Sequence, residues 1–424
     1  MCLLMRLPRF LLLPAALALS AGTALAGDPP ELPPTVQAIA AIHAAASVRA
    51  AEAGITAEEA NRQRLEAGSH EWNLRLESQQ RRVLSSDERF REWSSSLERP
   101  IRLPGKAGID RELGEQGVRQ ARVALEDARH EAARLLLRLW FGWLRESEIA
   151  RQWSAQAELL GKEREAVASR LKHGDASKLE AMQAAAAQAQ AAAEEARAQS
   201  RREVARATLA GRFPALPVPA GITLSEPQPV AGSLADWQET LLANQHELRL
   251  ARSDSERMRL LAKRADAERL PDPTLGLRLA NERRGDEKVA GLVFSLPLPG
   301  GARRAQADAA TAYAAAAAAR EAGIRDAVTA EIASLYATAS AAWHSWQQAE
   351  QAACQQEEAA SLTGRARTLG EAGLADVLLA RRLAHEARLA AQLARLDALE
   401  SRHRLELDAH RLWADDDDDT GHAH

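Results

Sequence analysis

The sequence predicts a mainly α-helical protein with a small β contribution, in which a helix–strand–strand–helix unit occurs twice. Three observations predict it. Of the 424 residues 46% are hydrophobic but only 4% are aromatic. Ala, Glu, Arg and Leu dominate, as in long, closely packed helices, and alanine buries too little area for a thick globular core. Each half also contains a pair of short segments that alternate apolar and polar residues, the period of a strand. Finally, the two halves align at a constant offset of 196 along their long helices: Leu139 falls on Leu335, Trp140 on Tyr336, Gly174 on Gly370, Ala176 on Ala372 and Glu180 on Asp376.

Residues 1–26 read as a secretory signal. Arg6 and Arg9 supply the positive end, Phe10 to Leu19 the apolar run, and Ala24-Leu25-Ala26 a small-residue cleavage site. The run is too short to span a bilayer. Cys2 would leave with the signal, and no cysteine stands at the cleavage site to accept a lipid. The exported chain then keeps Cys354 alone and can form no internal disulfide.

The first unit covers 27–213. A helix is expected over about 35–67. Strands follow over about 71–83, with Trp72, Leu74 and Leu76 on one face, and about 90–103, with Trp93, Leu97, Ile101 and Leu103 in phase. Helical text then runs from about Asp110 to Gly211, broken once at a tip near 170–179. Pro214, Pro217, Pro219, Pro227 and Pro229 mark 214–232 as a linker that is neither helix nor central strand.

The second unit covers 233–413. It reads as a helix over about 234–268, strands at about 273–281 and 289–298, and a helix of about 65 residues, some 100 Å long. A tip at 367–376 and a last helix to about Trp413 complete it, and 414–424 form an acidic, His-containing tail. The first strands match at an offset of 203 rather than 196, which predicts a longer loop between the strands of the first half.

No later segment has 18 apolar residues in succession, so a membrane could be crossed only as a closed β-barrel. Four strands per chain cannot close a barrel of useful bore, whereas three chains would supply twelve. The Trp72/Leu74/Leu76 side would then face lipid and the Glu71/Asn73/Arg75 side water. The alternative from the residues alone is a helical rod whose alternating stretches are loops.

Several chemistries are absent. Lys+Arg 55 against Asp+Glu 59 gives a net charge of −4 and no electrostatic footprint for nucleic acid. The His-Glu pairs at His70, His130, His246 and His385 never continue to a zinc-protease motif, and Gly105-Lys106 lacks the rest of a phosphate loop. No serine or cysteine stands in a nucleophile elbow. The chain is therefore read as a non-enzyme without a cofactor. His403 and His410, seven apart, are expected on one helix face without a third ligand. In the tail, Asp418, Asp419, His422 and His424 are weak candidate metal ligands beside the plainer reading of a solvating end.

The duplicated plan, with a Gly-centred break in each helical hairpin, resembles the TolC-like outer membrane efflux proteins over nearly the whole exported chain. Pro271-Asp272-Pro273 to Pro299 looks like that family's second hairpin. Pro100-Ile101-Arg102-Leu103-Pro104-Gly105-Lys106 looks like the first-repeat strand end of the CzcC-type heavy-metal efflux branch. The resemblance implies a homotrimer in outer membrane lipid, with a twelve-stranded barrel continued by a helical tunnel into the periplasm. It also implies a periplasmic adaptor protein and an inner-membrane pump of the proton-driven resistance-nodulation-division type as partners.

On the same resemblance the tips, with Lys172, His173, Gly174 and Ser177 in one and Arg367, Gly370 and Gly373 in the other, would dock the adaptor. Read from the residues alone they are helix–helix turns. Glu180 and Asp376 fall where the family narrows its tunnel with acidic rings, although Leu379 stands where TolC carries a second aspartate. A solvated helix face is the competing reading of both carboxylates. The expected function is an outer membrane channel passing heavy-metal cations, with drug or other small-molecule export as the alternative cargo and a poreless periplasmic scaffold as the alternative class.

Overall fold

The structure, a computed structural model, describes residues 28–219 and 221–414. Both the signal segment and the tail ligands Asp418, Asp419, His422 and His424 lie outside the described residues. The chain runs α1 (Thr35–His43), α2 (Ala46–Ala67), β1 (Asn73–Val83), β2 (Glu88–Pro100), α3 (Lys106–Lys172) and α4 (Lys178–Arg212), then repeats the order as α5 (Leu234–Asn244), α6 (His246–Ala267), β3 (Thr274–Glu282), β4 (Glu287–Ser295), α7 (Gly301–Thr368) and α8 (Leu374–Asp408). The described residues between α4 and α5 form no helix or strand, as the prolines there require.

Two helices expected to be continuous are each broken. The first steps at Ala44–Ala45, where Ala45 is extended (φ −63°, ψ 141°), and the second at Gln245 (φ −68°, ψ 110°). Neither break carries glycine or proline, so local propensity gives no warning of it. The step lets α1 and the start of α2 bury Ala38, Ala41, Ile42 and Val48 in one core with Leu136, Leu137, Trp140 and Phe141 of α3. The repeat reaches into this core. The Trp140 indole N–H donates to the Glu31 carbonyl at 2.7 Å, and its counterpart Tyr336 donates through its hydroxyl to the Gly232 carbonyl at 3.1 Å. In both halves the long helix thus grips the chain just before the unit's first helix.

Away from this core the helices pack through narrow seams of small residues. Buried positions recur every seven residues: Ala184, Ala191 and Ala198 on α4, Ile332, Ala339, Trp346 and Ala353 on α7, and Val377, Ala384, Ala391, Ala398 and Leu405 on α8. A strict seven-residue repeat winds straight helices into a left-handed coiled coil, and alanine lets the backbones approach closely. α3 has 67 residues and α7 has 68, so each is about 100 Å long at about 1.5 Å per residue.

The strands form one antiparallel sheet in the order β1-β2-β3-β4, so the hairpins of the two halves lie side by side. The expected longer loop in the first half is not there, since each hairpin turn spans four residues, 84–87 and 283–286. The extra residues lengthen the strands instead: β1 and β2 have 11 and 13 residues, β3 and β4 nine each. Between Leu76 and Phe90 only Val83 and Leu84 are apolar, which hides the ladder from a search for alternation. Trp72, Ile101, Leu103, Leu296 and Leu298 keep the expected phase but stand outside the strands.

Candidate functional site

Three structures along the rod matter for function: the sheet, the joint beneath it, and the tips at the far end. In the sheet, register brings Leu74, Leu97, Leu277 and Leu292 into one row across all four strands. Leu76, Leu275, Leu279 and Phe294 fill the same face, and all eight side chains are exposed, Leu277 at 59% and Leu292 at 87%. A monomeric soluble protein rarely exposes an apolar patch of this extent. The opposite face is largely polar in the first hairpin: Glu92 is buried there against Arg81 at 2.7 Å and Gln79 at 3.0 Å. Both β1 and β4 are edge strands with an unpaired row of backbone donors and acceptors. At 9–13 residues, the strands match what a tilted membrane strand needs, roughly 9–11 residues. Among the described residues no helix is long and apolar enough to cross a membrane.

The joint is built on Lys106 and Asp272, from the two segments the sequence singled out around Pro100–Lys106 and Pro271–Pro273. Lys106 is 2% exposed; its ammonium donates to the Leu270 carbonyl at 2.7 Å and to Asp272 Oδ1 at 2.9 Å, with Glu268 at 3.4 Å. The Leu103 amide donates to the same carboxylate, and His70 Nε2 lies 3.0 Å from its other oxygen. Burial pushes the Asp272 carboxyl up, but the Leu103 amide, Lys106 and His70 outweigh it and hold the group below its usual range. One carboxylate thereby fixes where β2 gives way to α3 and where α6 gives way to β3.

The tips are two copies of one motif. At the end of α3 the Gly174 amide donates to the Leu171 carbonyl and the Asp175 amide to Arg170. At the end of α7 the Gly370 amide donates to Arg367 and the Glu371 amide to Ala366. These paired bonds form a Schellman motif, which places its central residue in the left-handed region. Gly174 has φ +83° and Gly370 φ +81°. Nothing lies within 4 Å of a Cβ built on either, so Gly370→Ala is expected to cost only the backbone strain of that conformation, about 1 kcal/mol. Thermal unfolding beside the parent measures it, and an unchanged midpoint would contradict the motif.

Ser177 and Gly373 then start the return helices. The Ser177 amide donates to Glu180 at 3.0 Å and the Ser177 hydroxyl accepts from the Glu180 amide, while the Gly373 amide donates to Asp376 at 3.0 Å. The two residues expected at a gate thus both close the first turn of a helix, the position an acidic side chain prefers. Arg367, expected on a docking surface, instead has its side chain 12% exposed and lies 3.6 Å from Glu180 of the other hairpin. Lys172, His173 and Asp376 are exposed. His403 and His410 do not share a helix face as expected, because α8 ends at Asp408 and His410 lies beyond it at φ +56°. His403 is held by Glu31 at 2.9 Å and Glu406 at 3.0 Å, whereas His410 stacks on His130.

The fold is that of the TolC-like outer membrane channels. The CmeC outer membrane channel of Campylobacter jejuni superposes with a TM-score of 0.76 at 14% identity, over 91% of this chain and 87% of that one. The VceC outer membrane protein of Vibrio cholerae gives 0.71 at 20% identity over 89% and 95%. The open state of the MtrE outer membrane channel of Neisseria gonorrhoeae gives 0.67 at 18% identity over 90% and 89%. No protein-family model matches the sequence, and neither does any curated protein.

Proposed function

We propose that the chain is the outer membrane channel of a tripartite efflux pump. The observation that carries this is the four-stranded sheet, with a leucine-rich apolar band exposed across one face and both edges open, set on helical hairpins about 100 Å long. Three copies close that sheet into a twelve-stranded barrel by pairing β1 of one with β4 of the next, which satisfies both edges and turns the leucine face to lipid. A periplasmic scaffold gives that face nothing to do.

The protein conducts and does not catalyse. An adaptor engages the tips, the tunnel opens at its periplasmic end, and an inner-membrane pump of the proton-driven resistance-nodulation-division type supplies the energy. Asp376 and Glu180, repeated by threefold symmetry, concentrate negative potential where the tunnel narrows and favour cations. The preferred cargo is heavy-metal cations, on the resemblance of the Pro100–Lys106 segment to the CzcC-type branch. Deleting the gene in its host and comparing tolerance to zinc, cobalt, cadmium and copper with tolerance to drugs and dyes tests cargo and class together. Loss confined to metals is expected; loss confined to organic compounds keeps the channel and removes the metal, and no loss of either removes the channel.

At the tips, Lys172→Glu is the cleaner probe of docking, because Arg367 is already committed to Glu180. Export is expected to fall to the level of the deletion strain while the trimer assembles normally. Full export by this variant would end the docking proposal.

A further inference from the structure

Three histidines that are far apart in the sequence meet beside the central core. His130 lies in the first half of α3, His246 is the first residue of α6, and His410 follows the end of α8. Their ring centroids are 5.4 Å apart for His130–His246, 5.4 Å for His130–His410 and 4.8 Å for His246–His410. One ring nitrogen of each lies within 4.8 Å of the other two. Together they line a cavity of about 40 Å³ whose wall includes Ile42, Ala133, Leu407 and Trp413, with Glu126 and Arg129 also reaching it.

We propose that this cluster binds a divalent transition-metal ion of the zinc type, which staples the two halves of the chain and its C-terminal end together. Three imidazoles with an open fourth position form a donor set that suits such ions. Around a tetrahedral ion with bonds of about 2.0–2.1 Å, ligand atoms stand roughly 3.4 Å apart. Nitrogens already within 4.8 Å reach that spacing by small ring rotations. The cavity leaves space for the ion and a water.

The surroundings are arranged for ligation. His130 Nε2 lies 3.1 Å from Asp408 Oδ1, a carboxylate also held by Arg134 at 2.9 Å and Arg404 at 2.9 Å. That contact puts the proton on Nε2 and leaves Nδ1 with its lone pair, the carboxylate–histidine arrangement common around bound metals. His246 has its side chain 6% exposed, with its Nδ1 3.5 Å from the Glu126 carboxylate, and His410 Nε2 makes no hydrogen bond. Buried imidazole nitrogens without partners are costly unless something else ligates them.

The backbone at His410 is a further sign. The Arg411 amide donates to the Glu406 carbonyl and the His410 amide to Leu407, the bonding seen at both tips. There the left-handed position is glycine; here it is histidine, in a conformation that disfavours side chains.

Zinc titration of the purified full-length exported chain, stripped with a chelator and assayed against a chromogenic competitor, tests the proposal. Magnesium serves as the control ion. About one zinc per chain is expected at micromolar affinity or tighter, with a raised melting temperature, and the site should survive His422→Ala/His424→Ala. His410→Gly is expected to weaken zinc at least tenfold while the metal-free protein melts no lower than the parent, since glycine suits that backbone. His246→Gln, which retains a polar side chain, should weaken zinc as well. No zinc bound by the parent, unchanged affinity in His410→Gly, or loss of the site in the tail variant alone would each overturn the proposal.

Discussion

Replacing Lys106 with methionine is expected to destabilise the protein by about 3 kcal/mol, although the substitute has nearly the same length and is more apolar. Removing one partner of a buried ion pair leaves the other charge desolvated, a loss measured at about 3–5 kcal/mol. The lower end applies because the side chains of Asp272 and Glu268 keep 15% and 31% exposure. Urea unfolding of the detergent-solubilised protein measures it, and a loss under about 1 kcal/mol would mean that the joint is held by packing instead.

The same network gives a pH dependence of known sign. Burial raises both carboxyls, but at Asp272 the Leu103 amide, Lys106 and His70, and at Glu268 Arg264 and Lys106, bring them below their usual values of 3.8 and 4.5. A depressed folded value stabilises the protein above the unfolded value and is lost as the pH falls through the folded one. Acid below about pH 4 should therefore weaken the parent more than Lys106→Met, and an equal loss in both would count against the network.

On the proposed function, Leu277→Arg is expected to remove nearly all assembled protein from the outer membrane. Leu277 is in the middle of the leucine row, opposite Leu97 on one side and Leu292 on the other. An arginine on the lipid face near the bilayer midplane costs about 2–4 kcal/mol, and a trimer would incur it three times. Gln79→Arg, on the polar face beside Glu92, should assemble normally. The amount of heat-modifiable oligomer in the outer membrane fraction distinguishes the two. Equal assembly of both variants would mean that the leucine row does not face lipid.

Much of this fold is legible from local pattern. Alternation locates four strands to within a few residues, prolines bound the linker, and Gly174 and Gly370 mark both tips because few other residues hold a left-handed backbone there. The unit order follows from self-similarity, since each half must bury the same faces. The polar ends of β1 and β2 were not legible: a ladder polar on both faces has no apolar period, and only the pairing of β1 with β2 defines it. The breaks at Ala45 and Gln245 were likewise hidden, because packing against α3 and α7 sets them rather than residue propensity.

The candidate sites divide along the same line. Glu180 and Asp376, which close the first turns of the return helices, stand six residues after the tip glycines along one chain segment. The commitment of Arg367 to Glu180 joins residues on different hairpins, and the meeting of His130 with Asp408 spans 278 positions. The sequence by itself determined the helices, strands, turns and their duplication, because each depends on neighbours within a few residues and on which face must leave water. Only the tertiary structure decided which ionisable groups share a site. Their energies come from burial and from charges a few ångströms away in space, and neither leaves a period in the chain.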